Sequence, residues 1–366
     1  MLDVFIVGGG PAGLAVAIAA AQRGMRVTLA DSAHPPIDKA CGEGIMPDGL
    51  VALRNLGVNL TGLASSPFDG IKFVDNAIEA HARFPKGPGF GMARTALHSA
   101  MAAKAESVGV HLAWGTRVGS VRQGEVVAGG TTCRSAYVVC ADGQNSSLRE
   151  MAGLGAGKVL RRRYGFRSHY TVRPWSPFVE VHWANCGQIY ITPVGHEEVC
   201  VVLITSDPHL RLDDALPAFP AVQRHLAGLT PHGKSMGAVT TTRKLKAVTR
   251  GRIALLGDCS GSADAITGDG LSLAFQQATA LAAAMCSEDL SAYQRTHEVI
   301  SNLPRNMGQL MLLMHDYPAL RHRVFRGFSR SPQMFEKLLA VHTRTISPLQ
   351  LGGMDCLSFG WNVLRA

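Results

Sequence analysis

Residues 3–13 read Asp3-Val-Phe-Ile-Val7-Gly8-Gly9-Gly10-Pro11-Ala12-Gly13, and the fold turns on them. The apolar run from Asp3 to Val7 reads as a short buried strand. Gly8 to Gly13 is a turn. Leu14 to Arg23 is rich in alanine and reads as a helix ending near Gly24. Met25 to Ala30 is a second strand, and Asp31 follows it. Strand, turn, helix and strand make a βαβ unit of about 30 residues. Its two strands are parallel and its crossover right-handed.

Inside the turn, Gly8-x-Gly10-x-x-Gly13 has the spacing of a dinucleotide-binding loop. Gly8 permits the tight turn, Gly10 lets the backbone approach a pyrophosphate, and Gly13 lets the helix close on the strand. Pro11 and Ala12 open the helix, where free N–H groups and the positive end of the dipole face a phosphate. Asp31, with Ser32 after it, stands where a carboxylate accepts hydrogen bonds from ribose hydroxyls. Such a unit takes NAD or FAD equally well.

The rest of the chain narrows the choice. Arg252-Ile-Ala-Leu-Leu-Gly257-Asp258 reads as a late strand ending in Gly-Asp. Gly268-Asp269-Gly270 then leads into a helix over Leu271–Met285. FAD is long enough to need such distant contacts. Asp258 is placed for ribityl or phosphate-proximal hydroxyls, and the helix from Leu271 aims its N–H groups at the flavin pyrimidine edge. Between the two glycine segments lies Asp142-Gly143-Gln-Asn-Ser146-Ser147-Leu-Arg149, in which Asp142 and Arg149 are spaced to pair. Arg94-Thr95, at another helix start, is placed to bridge cofactor phosphates. Val118 completes the cofactor-binding set.

At 366 residues the chain suits two domains, or one large α/β unit with an inserted lobe. Charged residues make up 17%, low against a usual value of about 25%. The composition excludes intrinsic disorder, collagen and coiled coil. A net charge of +9 steers anionic ligands. The longest basic run is Arg161-Arg162-Arg163, so no nucleic-acid tract is read. No C-x-x-C pair occurs among the eight cysteines, which read as free thiols of a reducing, cytoplasmic compartment. Glycines and Pro11 break the first apolar stretch, so it is neither a signal peptide nor a spanning helix.

Alternating segments at Phe178–Trp183, Gln188–Thr192 and Val199–Thr205 predict an antiparallel sheet, and Ile71–Phe84 a hairpin. Val110–Val121, Glu125–Val127 and Ala136–Ala141 read as further strands. The expected layout is a discontinuous cofactor domain over 1–70, 90–160 and 245–300. A β-sheet substrate domain covers 71–89 and 161–244, and a helical segment covers 301–366. The segment Asn302–Arg330 mixes apolar residues with arginines. It fits a helical lid, or peripheral membrane contact with an anionic bilayer.

Gly8–Gly13, Asp142-Gly143 and Gly257-Asp258 resemble the three fingerprints of single-component FAD-dependent aromatic hydroxylases. Cys41-Gly42-Glu43-Gly44 and the run from Gly257-Asp258 to Gly268-Asp269-Gly270 are similar to the geranylgeranyl reductase branch of that superfamily. Ala265 departs from the proline of the hydroxylases. The resemblance covers about residues 1–300. It implies an α/β fold with a glutathione-reductase-type, Rossmann-like FAD domain, an inserted antiparallel sheet and a helical C-terminal segment. It implies that the Cys41–Gly44 loop abuts the flavin, with Cys41 and Gly42 touching the cofactor. It also implies that Ile189-Tyr190-Ile191-Thr192-Pro193 lies in the sheet roofing the flavin. Cys41, Glu43 and Tyr190 are the catalytic candidates; His169 and His182 also fall on roof strands.

The implied cycle has NADPH or NADH reduce the flavin while bound transiently. Reduced flavin then either activates O2 or passes hydride to a double bond. The expectation is an FAD-dependent oxidoreductase of a hydrophobic or aromatic small molecule, with oxygen insertion ahead of isoprenoid or other double-bond reduction. Two other classes compete. Gly257-x-Cys259-x-Gly261 has the spacing of a nucleophile elbow, with His297 or His315 as partner, which would make a thiol hydrolase. A non-enzymatic binding protein on the same fold is the other. No metal site is read, and the oligomeric state is left open.

Overall fold

The computed structural model describes residues 2–364. The opening unit is β1 (Leu2–Val7), α1 (Pro11–Ala21) and β2 (Val27–Ala30). There follow β3 (Gly44–Ile45), α2 (Pro47–Asn55), β4 (Ser66–Phe68), the hairpin β5 (Gly70–Asp75) and β6 (Ile78–Arg83), and β7 (Gly89–Gly91). Next come α3 (Arg94–Ser107), β8 (His111–Ala113), β9 (Val118–Arg122), β10 (Glu125–Ala128), β11 (Thr131–Cys140) and α4 (Ser147–Met151). The second lobe holds β12 (Gly157–Tyr170), β13 (Val179–Ala184), β14 (Gly187–Gly195), β15 (Glu198–Thr205), α5 (Leu212–Ala215), α6 (Pro220–Leu226) and β16 (His232–Leu245). The chain ends with β17 (Thr249–Arg250), β18 (Ile253–Leu255), α7 (Gly270–Cys286), α8 (Leu290–Asp316), α9 (Pro318–Arg330), α10 (Pro332–His342) and α11 (Gly353–Leu364).

The first sheet runs β17-β18-β11-β1-β2-β8, with β9 and β10 extending from β11. Its central ladders are parallel, and Val7 stands level with Ala30 on one side and Cys140 on the other. Cys140 is in turn level with Leu255. The loops after β1, β2, β11 and β18 therefore leave the sheet at one carboxyl edge. Strand order reverses there, where open α/β sheets bind ligands. α1 is buried almost all round, as its Leu-Ala-Val-Ala-Ile-Ala sequence demands. It packs against α3 and α7.

The second sheet runs β16-β12-β15-β14-β13-β5-β6. Its ladders are antiparallel except β5 with β13, which is parallel, so the sheet is mixed rather than purely antiparallel. β14 is buried throughout because both faces are covered. Ile189 and Ile191 point to the core under α5 and α6. Tyr190 and Val194 point to the opposite core, with Phe68, Met46 and Phe325. This is the two-residue alternation of a strand.

Several segments differ from the sequence reading. Val110–Val121 is two strands, β8 and β9, parted by a turn at Gly115 with φ +70°. β11 begins at Thr131 and stops at Cys140. β16 and the first half of β12 lack a clean apolar alternation and were not expected. The expected limits at 160/161 and 300/301 fall inside β12 and α8. The run Arg161-Arg162-Arg163 lies on β12 and alternates with it. Arg161 pairs with Asp316 at 2.7 Å, Arg162 is exposed, and Arg163 is fully buried against Asp264 at 3.1 Å.

Candidate functional site

The glycine loop closes as its spacing predicts. Gly8 has φ +109°, and a Cβ there would stand 2.4 Å from the Ala141 carbonyl oxygen. A Cβ on Gly13 would come within 1.8 Å of the Gly8 oxygen. Both glycines serve backbone packing. Gly10 differs, because its Cβ would meet only Arg94 Nη2, at 3.9 Å. Asp31 locks the loop: Oδ2 accepts the Gly9 N–H at 2.6 Å and Oδ1 accepts the Ala33 N–H at 2.8 Å. Ser32 beside it is exposed. Val118, at the start of β9, is half-buried against the main core.

α3 backs this loop with two residues one turn apart. Arg94 has its Nε buried without a partner. His98 donates from Nε2 to the Gly9 oxygen at 2.9 Å, and its Nδ1 has no partner. Burial lowers the His98 pKa, so the ring is a neutral donor. The sequence reading took Arg94 and missed His98; the i, i+4 spacing on one helix was the available signal.

The distant segments arrive at the same edge. Gly257 has φ +61°, and its Cβ would stand 2.8 Å from that of Ala12, beside Pro11 in the first turn of α1. Its N–H donates to Gln277 Oε1 at 3.1 Å, which fixes the turn on α7. Asp258 pairs with Lys39 at 3.3 Å. Gly268 has φ +66° in the left-handed region, and space is open on the Cβ side of Gly268, Gly270, Gly143 and Gly42. Leu271 is half-buried in the first turn of α7 and Asp142 is exposed. Asp142 and Arg149 do not pair. Arg149 is buried and donates to the Cys259 oxygen at 3.1 Å and the Gln144 oxygen at 3.4 Å, because its helix turns it under the loop. Between these glycines Asp269 is buried, with Oδ2 3.5 Å from Arg344 and Oδ1 unpartnered. Burial pushes its pKa up to about 8.

The nucleophile-elbow reading fails on geometry. Cys259 is fully buried, and burial drives its thiol well above the ordinary range. The neighbouring Ser260, not Cys259, meets His297, at 2.8 Å. Ser260 donates to the Gly257 oxygen at 2.7 Å, so His297 donates to Ser260 and cannot act as its base.

Opposite the glycine loops, Glu43 joins the Cys41–Gly44 segment to the roof sheet. It is a non-glycine residue at φ +59° and is buried. Its Oε1 accepts from the Arg94 N–H at 3.0 Å and from Arg167 Nη1 at 2.9 Å. Its Oε2 lies 2.7 Å from His169 Nε2. Desolvation works against the Arg167 charge, but the Asp38 and Glu43 carboxylates outweigh it and hold that guanidinium firmly protonated. Cys41 is half-buried; its sulfur accepts the Glu43 N–H at 3.4 Å and its carbonyl accepts the Cys200 thiol at 3.7 Å. The Tyr190 hydroxyl donates to the Ile266 oxygen at 2.8 Å and ties the roof to the turn before α7. His182 pairs with Glu180 at 2.9 Å, outside this group. Asp38 and Arg167 belong to no motif that marks them in the sequence.

Glu43, His169 and Cys200 bring ligand-type atoms within 4.8 Å of one another. The Arg167 guanidinium already occupies that carboxylate, and burial keeps the Cys200 thiol protonated. This chemistry favours an ion pair over a bound cation.

The residues fit a flavin dinucleotide. Arg94 offers an unpartnered buried donor beside Gly10, the N-termini of α1 and α7 open on one edge, and four glycines leave their Cβ sides free. Gly8–Gly13, Arg94 and Asp31 would hold the diphosphate and ribose. Gly257, Asp258 and Gly268–Leu271 would meet the ribityl and ring.

Comparison with known proteins agrees. The family model described as "FAD binding domain" matches residues 1–186. A menaquinone reductase of Mycobacterium tuberculosis is 26% identical over 330 residues, spanning 79% of this chain and 78% of that protein. A 6-methylpretetramide 4-monooxygenase of Streptomyces rimosus is 33% identical over 177 residues, 43% of this chain and 42% of that one. A flavoprotein/dehydrogenase structure from Cytophaga hutchinsonii superposes with a TM-score of 0.83 at 15% identity, covering 99% and 98% of the two chains.

Proposed function

The chain belongs to the FAD binding domain family, within the superfamily of FAD-dependent aromatic hydroxylases, and on that premise we propose that it is a monooxygenase. Its substrate is a hydrophobic or aromatic small molecule, its cofactor FAD, and its transient reductant NADPH or NADH. Reduced flavin supplies either activated oxygen or hydride. The parallel sheet carries the cofactor and the mixed sheet roofs the substrate.

One observation supports oxygen insertion over reduction: two of the three catalytic candidates, Glu43 and Tyr190, are already committed. Both Glu43 oxygens hold donors, and the Tyr190 proton goes to the Ile266 carbonyl. Transfer of oxygen to an electron-rich ring asks for no strong protein acid, because the ring supplies the electrons. Delivery of hydride to a double bond needs an acid beside the second carbon. In this reading Glu43, Arg167 and His169 position the Cys41–Gly44 loop and keep water out, and Tyr190 fixes the roof to α7.

A second reading is kept by Cys41. Its thiol is half-buried on the loop, its sulfur accepts a backbone N–H, and its proton would go to the carbon next to the one that takes the hydride. The relative named menaquinone reductase supports it. The test is turnover of phenolic and quinonoid substrates under 18O2 and with deuterated NADPH. Label from O2 in the product supports monooxygenation. Deuterium on carbon with no oxygen label overturns it in favour of reduction.

A further inference from the structure

A cavity of about 410 Å³ opens where the β5–β6 turn, the β13–β14 turn, the segment after α5 and the first turn of α9 meet. β14 begins beside it, just after Cys186, and reaches Pro193 about 20 Å along the strand. A Cβ on Gly91 would stand 1.9 Å from the Pro193 carbonyl oxygen, and Gly91 pairs with Gly44. The cavity and the Cys41–Gly44 loop therefore lie at opposite ends of this roof strand. Trp183 and Arg321 line the cavity and are 3% and 2% exposed. Trp183 meets Phe73 and Phe325 edge-on, at 5.8 and 5.7 Å, so aromatic rings wall it from behind. The one carboxylate on the lining is in use. Asp75 Oδ2 accepts from Arg321 Nε at 2.7 Å and lies 2.9 Å from His322 Nε2, while Oδ1 accepts from Asn76 at 3.2 Å. The donors are less well served. Arg321 Nη1 and Nη2 reach the Met314 oxygen and Asn185 Oδ1 only at 3.5 and 3.4 Å, and Trp183 Nε1 is buried without a partner.

We propose that this cavity is a ligand site of its own, apart from the flavin site, and that it takes a small aromatic carboxylate. Concave sites of this size, with apolar walls and a few polar groups, suit small molecules. The ring lies against Trp183 and Pro318. The carboxylate meets the Arg321 fork, whose planar donors match two oxygens at once and now hold only long contacts. Charge favours an anion over a neutral acceptor. α9 carries Arg321, His322, Arg323, Arg326 and Arg330 and no acidic residue, and Asp75 offsets only part of that charge. The N-terminus of α9, the positive end of its dipole, opens beside the cavity at Pro318. A cationic ligand would find Asp75 with both oxygens already engaged.

The test is calorimetric titration of the FAD-loaded full chain with 1-naphthoate and, as the neutral control, 1-naphthamide. The acid is expected to bind about tenfold more tightly than the amide, without moving the flavin absorption bands. Cys186 is a half-buried free thiol on the lining, so bound acid is also expected to slow its alkylation by iodoacetamide, read by peptide mass spectrometry. Ala218→Trp fills the cavity from an exposed position and is expected to abolish binding while keeping its FAD, which shows that it is folded. No binding of 1-naphthoate at millimolar concentration, or equal affinity for acid and amide, overturns the proposal. So does binding that leaves Cys186 alkylation unchanged or persists in folded Ala218→Trp. Binding that shifts the flavin bands and leaves Cys186 unprotected also overturns it, and assigns the acid to the flavin site.

Discussion

The Glu43 carboxylate stands 2.9 Å from the Arg167 guanidinium, and both side chains are buried. Arg167 also grips Asp38 through two hydrogen bonds of 2.8 Å. Removing one partner of a buried pair strands the other charge, at a cost of about 3–5 kcal/mol. Arg167→Ala is therefore expected to lower unfolding free energy by that order, read by urea titration. It also loosens the Cys41–Gly44 loop, so flavin release accelerates. A variant as stable as the native protein would show that water enters and solvates Glu43.

Two glycines in one motif separate fold from ligand. Gly13 faces backbone at 1.8 Å, whereas Gly10 faces only the end of the Arg94 side chain. Gly13→Val is expected to prevent folding. Gly10→Val is expected to fold yet to retain at least tenfold less FAD, an affinity loss of about 1.4 kcal/mol or more. Undiminished flavin content in purified Gly10→Val protein would remove Gly10 from the cofactor site.

Much of this site was open to sequence reasoning because its information is local. The βαβ unit lies within 31 residues, and helix 94–107 and the turn at Gly268–Gly270 are set by neighbours along the chain. The Glu43 network was not readable. Its partners Arg167 and His169 lie 124 and 126 residues away, and only the docking of β12 over the loop joins them. Asp142 and Arg149 show the converse error. They are close in sequence, yet the short α4 helix turns Arg149 inward to carbonyl groups while Asp142 stays in solvent. β16 escaped notice because polar and small residues fill much of it, as the edge strand of a sheet permits.

Alkaline stability turns on Asp269. Burial raises its pKa from 3.8 to about 8, so the native state holds a proton that the unfolded chain releases near pH 4. A raised native pKa gives stability that is full below the unfolded value and is lost as pH rises through the native one. Between about pH 4 and pH 8 this group makes stability fall with rising pH. Asp269→Asn keeps the shape without the charge. It is expected to flatten that slope and to melt above the native protein at pH 8.5. Parallel melting curves across this range would mean that Arg344 keeps Asp269 ionised.

Acid works through His297 with the opposite sign. Burial, and to a lesser degree Arg305, lowers its pKa from 6.5 to about 4, so the fold holds it neutral while the unfolded chain takes up a proton. A depressed native pKa makes stability fall as pH drops, here between about 6.5 and 4. The neutral ring donates to Ser260, which in turn fixes the Gly257 carbonyl. Ser260→Ala leaves that buried donor unpaired, at about 1–3 kcal/mol. His297→Gln can still donate an N–H but does not titrate. It is expected to retain FAD near neutrality and to remove part of the stability loss between pH 6.5 and 4. If FAD is lost from Ser260→Ala but kept by His297→Gln, the brace on the Gly257–Ser260 turn is the hydrogen bond itself rather than the ring. Retention by Ser260→Ala with loss from His297→Gln assigns that role to imidazole packing against Tyr293, whose ring lies 5.7 Å away.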